Sequence, residues 1–379
     1  MKILFIGHDA SRTGAPLLLL QLMSWLKVNY SDIEFDCLLL DGGELEKEYQ
    51  STCKVYYREP KEIKRLSYIK RILKRIFRIK HNIRAAYYDN LFNKLKSNNY
   101  DVIYGNTIVS SNAILGLTTL IPHAKILMHV HELYDITRFY SDSLNKLSVT
   151  KIKIITVSQI TKQNLIKNHG ISEYSIELVY EYIDTKKITE KQIEKPTTKF
   201  IVNGSGLVQV RKGYDIFISV AKRAIQKYPD IPFHFKWIGT IPEYLSFYIQ
   251  NDIEMADLNG IVEFIGAKKD PYFEFSTSSV FLMTSRQDPF PLVCIEHALL
   301  SKPTICFDNA SGIPELVGDD AGIVVPYLDI EAMVDALQTL YSNPDKLAEL
   351  GKKASQKALN YDIDIQAKKI VEIIEKTLL

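Results

Sequence analysis

FIVNGSGLVQVRKGYDIFISVAKRAIQK, residues 200–227, opens on an apolar run, turns through glycines and continues with the spacing of an amphipathic helix. Strand, glycine-rich loop and helix in that order are the opening unit of a parallel sheet, whose strands must be joined by crossover helices. The same grammar already stands at the start of the chain, where the run Lys2–Ile6 leads through a polar loop into a helical pattern at 17–26. The pattern therefore starts twice. Between the two starts, strands are predicted at Phe35–Leu40, Val102–Tyr104, Lys125–His131 and Ile154–Val157. After the second start they are predicted at Phe233–Gly239, Val262–Ile265, Val280–Met283, Thr304–Phe307 and Gly322–Val325. Helices are predicted over 213–227, 291–301, 330–341, 344–358 and 362–377. The expected fold is α/β, two Rossmann-like domains with parallel sheets facing across a cleft. The domains are 1–183 and 200–358, with a polar Lys/Glu/Thr-rich linker at 184–199 and a C-terminal helix in 359–379 that is free to cross back to the first domain.

Bulk properties agree. A chain of 379 residues exceeds the roughly 250–300 that one core supports. It is 46% hydrophobic and 24% charged, the balance of a folded globular protein. No apolar run approaches the ~20 residues needed to cross a bilayer, and MKILFIGHDA is too soon interrupted to be a signal peptide. Cys37, Cys53, Cys294 and Cys306 form no pairing framework, which fits reduced thiols in the cytoplasm. The net charge of +2 hides an asymmetry of +9 in residues 1–200 against −7 in 201–379. Residues 61–84 alone hold ten Lys/Arg and a single acid, Glu62.

In open parallel sheets ligands bind beyond the carboxyl ends of the strands, so the loops there carry the candidate chemistry. Four stand out. In the first loop, Gly14 and Ala15 allow close approach of backbone N–H groups at a helix start, where anions are favoured. At the end of a later strand, His129 and His131 share a face; a metal pair there lacks any further ligand at a recognisable spacing, which leaves a hydrogen-bonded structural role or, at a domain cleft, contact with substrate hydroxyls. The turn Asn203–Leu207, with Gly206 near its end, is followed by Arg211-Lys212-Gly213, a fork and a point charge suited to a diphosphate. Finally, SRQDPFPLVCIEHA (285–298) places Asp288 in a proline-fixed loop and, after seven intervening residues, Glu296 inside a helix among apolar neighbours. A carboxylate in that setting needs a partner, either a protein cation or a ribose diol, which supplies two hydroxyl donors. The helix start there leaves N–H groups for ligand oxygens.

Taken together and in order, these segments resemble the retaining glycosyltransferases of family 4, which have the GT-B fold. The resemblance covers essentially the whole chain: Thr13-Gly14-Ala15-Pro16, His131 in HVHEL, the exit segment 154–184, Lys212 before Gly213, and SRQDPFPLVCIEHALLSKPTICFDNASGIPEL with its acid-x7-acid and Gly-x-Pro-Glu motifs. Two departures stand in it. Asp288 replaces the family's first glutamate, and Arg211 lies directly beside Lys212 rather than further upstream.

The resemblance implies transfer of a sugar from a nucleotide-diphosphate donor, UDP- or GDP-linked, with retention of configuration and without a bound metal or cofactor. Lys212 and Arg211 then neutralise the leaving diphosphate, Glu296 holds the ribose and Asp288 the sugar hydroxyls. Gly14, Ala15 and the loop amides of Phe290, Leu292 and Val293 complete the donor contacts, while His131 meets the sugar near the reacting carbon, with His129 the second choice. His131, Asp288 and Lys212 are the expected catalytic residues. The acceptor class is a glycan or a lipid-linked carrier in cell-surface polysaccharide or glycolipid synthesis, and no nucleic-acid partner is expected. Two alternatives share the fold: a nucleotide-sugar epimerase, and a catalytically silent binding subunit. Residues 61–84 add an expectation of their own. Ile69, Ile72, Ile76, Ile79 and Ile83 recur at helical spacing opposite Lys70, Arg71, Lys74, Arg75 and Arg78, a pattern suited to an anionic membrane surface on its cytoplasmic face or to packing on the first domain's sheet.

Overall fold

The computed structural model describes residues 1–59, 83–149, 152–191 and 199–379. The chain divides into two compact units. The N-terminal unit comprises Met1–Val157, Thr161–Val179 and Ala367–Leu379; the C-terminal unit comprises Ser158–Ile160 and Tyr180–Gln366.

The N-terminal unit is built on seven strands: β1 (Lys2–Gly7), β2 (Glu34–Leu39), β3 (Lys54–Tyr57), β4 (Val102–Asn106), β5 (Lys125–Val130), β6 (Ile152–Thr156) and β7 (Ile176–Leu178). Their order across the sheet is β3-β2-β1-β4-β5-β6-β7, and every pair is parallel. The C-terminal unit repeats the plan with β8 (Phe200–Ser205), β9 (Phe233–Ile238), β10 (Val262–Phe264), β11 (Val280–Met283), β12 (Thr304–Phe307) and β13 (Gly322–Val325), ordered β10-β9-β8-β11-β12-β13. Both sheets thus reverse direction beside their first strand, the arrangement of the doubly wound dinucleotide folds. Two strands were not anticipated. β3 and β7 are short edge strands, KVYY and IEL, with a single fully buried position each, so neither shows a long apolar run.

Why these residues fold so is plain in the unit that opens at Phe200. β8 is buried along Phe200–Gly204, and the helix Tyr214–Lys227 turns Phe217, Ala221 and Ala224 onto the core, each fully buried. Phe217 meets Trp237 of β9 edge to face, ring centres 5.3 Å apart. Gly213 joins loop to helix at φ +72°, where a Cβ would lie 1.9 Å from the Thr284 carbonyl oxygen, so no other residue fits. Within the expected linker, Thr185–Thr189 is a short helix capped by the Asp184 side chain; residues 192–198 lie outside those described.

Candidate functional site

The carboxyl edge of the N-terminal sheet gathers residues that are far apart in sequence. Register sets Gly7 of β1 level with Asn106 of β4, and Asn106 level with His129 of β5. His8, Asn106, Thr107, His129 and His131 therefore arrive together. His131 follows β5 by one residue, and its ring lies 4.0 Å from that of His129. His129 is 1% exposed, its Nδ1 2.7 Å from the Tyr104 hydroxyl. Burial, aided by His131, holds its pKa well below the ordinary histidine value, so His129 is neutral. His131 Nε2 lies 3.0 Å from Asn106 Oδ1, and the His131 N–H donates to Glu132 at 2.9 Å. Burial lowers His8 too, opposed by Asp9 and reinforced by His131. Thr107, a β-branched residue, sits at φ +79°, with its N–H donated to the His129 carbonyl at 2.8 Å. Backbone of that kind costs about 1–3 kcal/mol and concentrates at functional sites. Gly14 and Ala15 begin the helix Gly14–Asn29, which no side chain caps, and a Cβ on Gly14 would meet nothing within 4 Å.

The C-terminal edge is charged. A single turn of 3-10 helix, Val210–Lys212, presents Arg211 and Lys212 towards the loop after β11. The Lys212 ammonium pairs directly with the Asp288 carboxylate. Their side chains are 14% and 8% exposed, and Arg211 stands 3.8 Å from the same oxygen. Arg211 also donates to the Gln287 carbonyl at 2.9 Å. The turn is strapped from below by Arg286, which grips Asp215 through two bonds of 2.8 and 2.7 Å and donates to the Val210 carbonyl at 2.7 Å. Gly206 lies alongside: a Cβ there would be 3.3 Å from Lys212 Cε. Asp288 is held by its own backbone, its N–H bonded to the Ala310 carbonyl at 2.9 Å.

Beyond Asp288, Phe290 is buried between Tyr180 and Tyr361, ring centres 5.3 and 5.1 Å away, so only its backbone is available to a ligand. Leu292 and Val293 form the first turn of the helix Leu292–Leu299, which again has no side-chain cap. Glu296 accepts a hydrogen bond from the Tyr272 hydroxyl at 3.0 Å. Burial raises its carboxyl to about 7, with Tyr272 pulling the other way. Glu315 accepts from the Gln159 N–H and the Tyr180 hydroxyl, both at 2.9 Å.

Each sequence-predicted residue thus has a place, grouped at one of two sheet edges. The sequence reading missed His8, Asn106, Thr107, Tyr272 and the Arg286–Asp215 strap. For His8 and Asn106 the signal existed, since each ends or follows a strand; Tyr272 and Asp215 carry no local mark. Residues 61–82 of the basic segment lie outside the described residues. Among those described, no group of three His, Cys, Asp or Glu side chains gathers as a metal site requires, and no helix is long and apolar enough to cross a membrane.

Residues 185–357 match the sequence model of the family described as glycosyl transferases group 1. An uncharacterised glycosyltransferase of Haemophilus influenzae is 28% identical over 162 residues, 42% of this chain and 44% of that protein. The N-acetylgalactosamine-N,N'-diacetylbacillosaminyl-diphospho-undecaprenol 4-alpha-N-acetylgalactosaminyltransferase of Campylobacter jejuni is 27% identical over 213 residues, 55% and 56% of the two chains. The chain therefore spans about half the length of these curated relatives. In three dimensions the crystal structure of HepE from Anabaena in complex with UDP matches 99% of this chain and 100% of that one, with a TM-score of 0.77 at 20% identity. The fold is accordingly the two-domain α/β fold of the GT-B glycosyltransferase structures.

Proposed function

We propose that this protein is a retaining glycosyltransferase of the family 4 type, moving a sugar from a nucleotide-diphosphate donor to a glycan or lipid-linked acceptor in cell-surface polysaccharide or glycolipid synthesis. One observation carries the reading. Lys212 and Arg211 converge on Asp288 beside an uncapped helix start, with Glu296 in that same helix, inside the segment that matches the glycosyl transferase model.

Breaking the bond between a sugar and a diphosphate demands above all that the leaving charge be stabilised. Lys212 has three donors, so it can keep one on Asp288 and turn others to phosphate oxygens. Arg211 adds its fork, and the N–H groups of Leu292 and Val293, with that of Phe290, add helix-start donors. Asp288, held in place by Lys212 and by its backbone, accepts hydrogen bonds from the transferred sugar. Glu296 takes the ribose diol. From the N-terminal unit, Gly14 and Ala15 offer N–H groups and His131 contacts the sugar near the reacting carbon. With no carboxylate assigned as nucleophile, the acceptor attacks on the face the diphosphate leaves, which gives retention. UDP-linked donors come first in any trial, since HepE is seen with UDP, and an acceptor on a polyprenyl diphosphate follows the name of the Campylobacter relative.

The deciding experiment is a panel of UDP- and GDP-sugars, scored by thermal shift and by release of nucleotide. Stabilisation by one nucleotide family, with slow hydrolysis of one of its sugars, is the expected outcome; no response to any nucleotide overturns the reading. Peripheral attachment to the cytoplasmic face of the membrane through residues 61–84 belongs to the same proposal. Sedimentation with anionic liposomes should fall with salt, and again when Lys70, Arg71, Lys74, Arg75 and Arg78 are changed together to Gln. Binding that ignores both changes leaves the segment with no membrane role.

A further inference from the structure

Asn106 is 2% exposed and stands in the strand next to His129. Its side chain has two partners. Nδ2 donates to the Ala15 carbonyl at 2.9 Å, and Oδ1 lies 3.0 Å from His131 Nε2. A peptide carbonyl only accepts, so the amide end facing Ala15 is the NH2 and the end facing His131 is the oxygen. An amide oxygen also only accepts. His131 Nε2 must therefore carry a proton and donate it.

We propose that Asn106 is a positioning residue that fixes His131 in its Nε2–H tautomer and ties that ring to the first turn of the helix Gly14–Asn29. While neutral, His131 then has its one lone pair on Nδ1, and any hydrogen bond it accepts from a substrate hydroxyl is accepted there. His129 packs against the His131 ring at 4.0 Å without a charge, and Glu132 binds the backbone N–H of His131. Thr107, strained at φ +79°, fixes the chain immediately after Asn106 by bonding to the His129 carbonyl. The arrangement makes the glycine loop and the histidine one rigid piece, joined through a single amide.

The inference concerns His131's proton; only its consequence for catalysis rests on the glycosyltransferase reading. The test is long-range proton–nitrogen correlation on the full chain labelled with 15N-histidine, His131 being assigned by the signals missing in His131→Gln. A pyrrole-type Nε2 with a pyridine-type Nδ1, at a pH where the ring is neutral, is expected. The opposite pattern in the unmodified protein overturns the proposal without need of any variant. In Asn106→Ala the two nitrogens should move towards averaged values as the tautomers exchange. Asn106→Asp, which keeps an acceptor, should retain the Nε2–H pattern. A His131 signature unchanged in Asn106→Ala also overturns it. Nucleotide release from UDP-glucose, where that donor is used, should fall roughly tenfold in Asn106→Ala with UDP affinity unchanged, as expected for loss of one hydrogen bond. Failure of the unmodified protein to bind UDP or GDP counts against the glycosyltransferase reading alone, because the tautomer is read without ligand.

Discussion

The two sheets share a strand order and place an uncapped helix start at their carboxyl edges, yet the edges are chemically unlike. At the N-terminal edge the side chains that hold the two histidine rings carry no formal charge: His129 is buried on Tyr104, and Asn106 links Ala15 to His131. At the C-terminal edge the partners are charged: Lys212 and Arg211 face Asp288, and Arg286 grips Asp215. One scaffold serves both because strand order fixes where loops converge and says nothing of what they carry. The difference also sets how each edge fails. Removing one member of a buried ion pair strands a charge, whereas removing a buried imidazole strands at most a hydroxyl or an amide.

That contrast is broken most forcefully at Lys212. Lys212→Ala should cost about 2–3 kcal/mol of stability, because Asp288 is left at 8% exposure with only Arg211 at 3.8 Å. It should weaken UDP or GDP binding roughly tenfold or more while leaving the nucleoside nearly unaffected. Denaturant melts and calorimetry measure both. Adding Asp288→Asn to the same chain should restore part of the lost stability and none of the diphosphate binding. An additive double variant would show that the pair is not the source of the loss.

The two carboxylates sharpen the comparison within the charged edge. Glu296→Gln should weaken binding of free nucleotide by about tenfold, through the ribose contact, and Asp288→Asn should spare that binding and lower turnover. Calorimetry beside turnover decides, and the converse result means their roles are exchanged. On the N-terminal edge, His129→Ala should cost about 1–3 kcal/mol, since the buried Tyr104 hydroxyl loses its hydrogen bond to the His129 ring. His131→Ala should instead lower turnover with nucleotide affinity unchanged. Greater harm to turnover from His129→Ala than from His131→Ala would exchange the two histidines.

A further expected effect is on pH. Glu296 is raised by burial to about 7, above the ~4.3 of an unfolded glutamate. A carboxyl raised on folding stabilises the folded state when protonated, so its contribution is fully present below about pH 4 and is lost as pH rises through about 7. Glu296→Gln should therefore gain in melting temperature relative to the unmodified protein as pH is raised from about 5 to about 8. A difference that stays flat over that interval would place Glu296 at an ordinary carboxylate value.

Much of this was written along the chain. The restart at Phe200, the glycine before Tyr214 and the interval between Asp288 and Glu296 are local features, and local features set strand, turn and helix through side-chain spacing and backbone freedom. Eleven of the strands have apolar runs that announce them, while β3 and β7 acquire their extended form from a neighbour that supplies the hydrogen bonds. What no stretch of sequence determines is which residues meet. Asn106 lies 91 positions from Ala15 and 25 from His131, and Arg286 lies 71 from Asp215. Glu296 reads as a carboxylate in an apolar helix, but its partner Tyr272 and its shifted proton affinity follow from packing. Spacing encodes what one element presents; partnership, burial and proton position belong to the space between elements, and only the folded sheets bring that space into being.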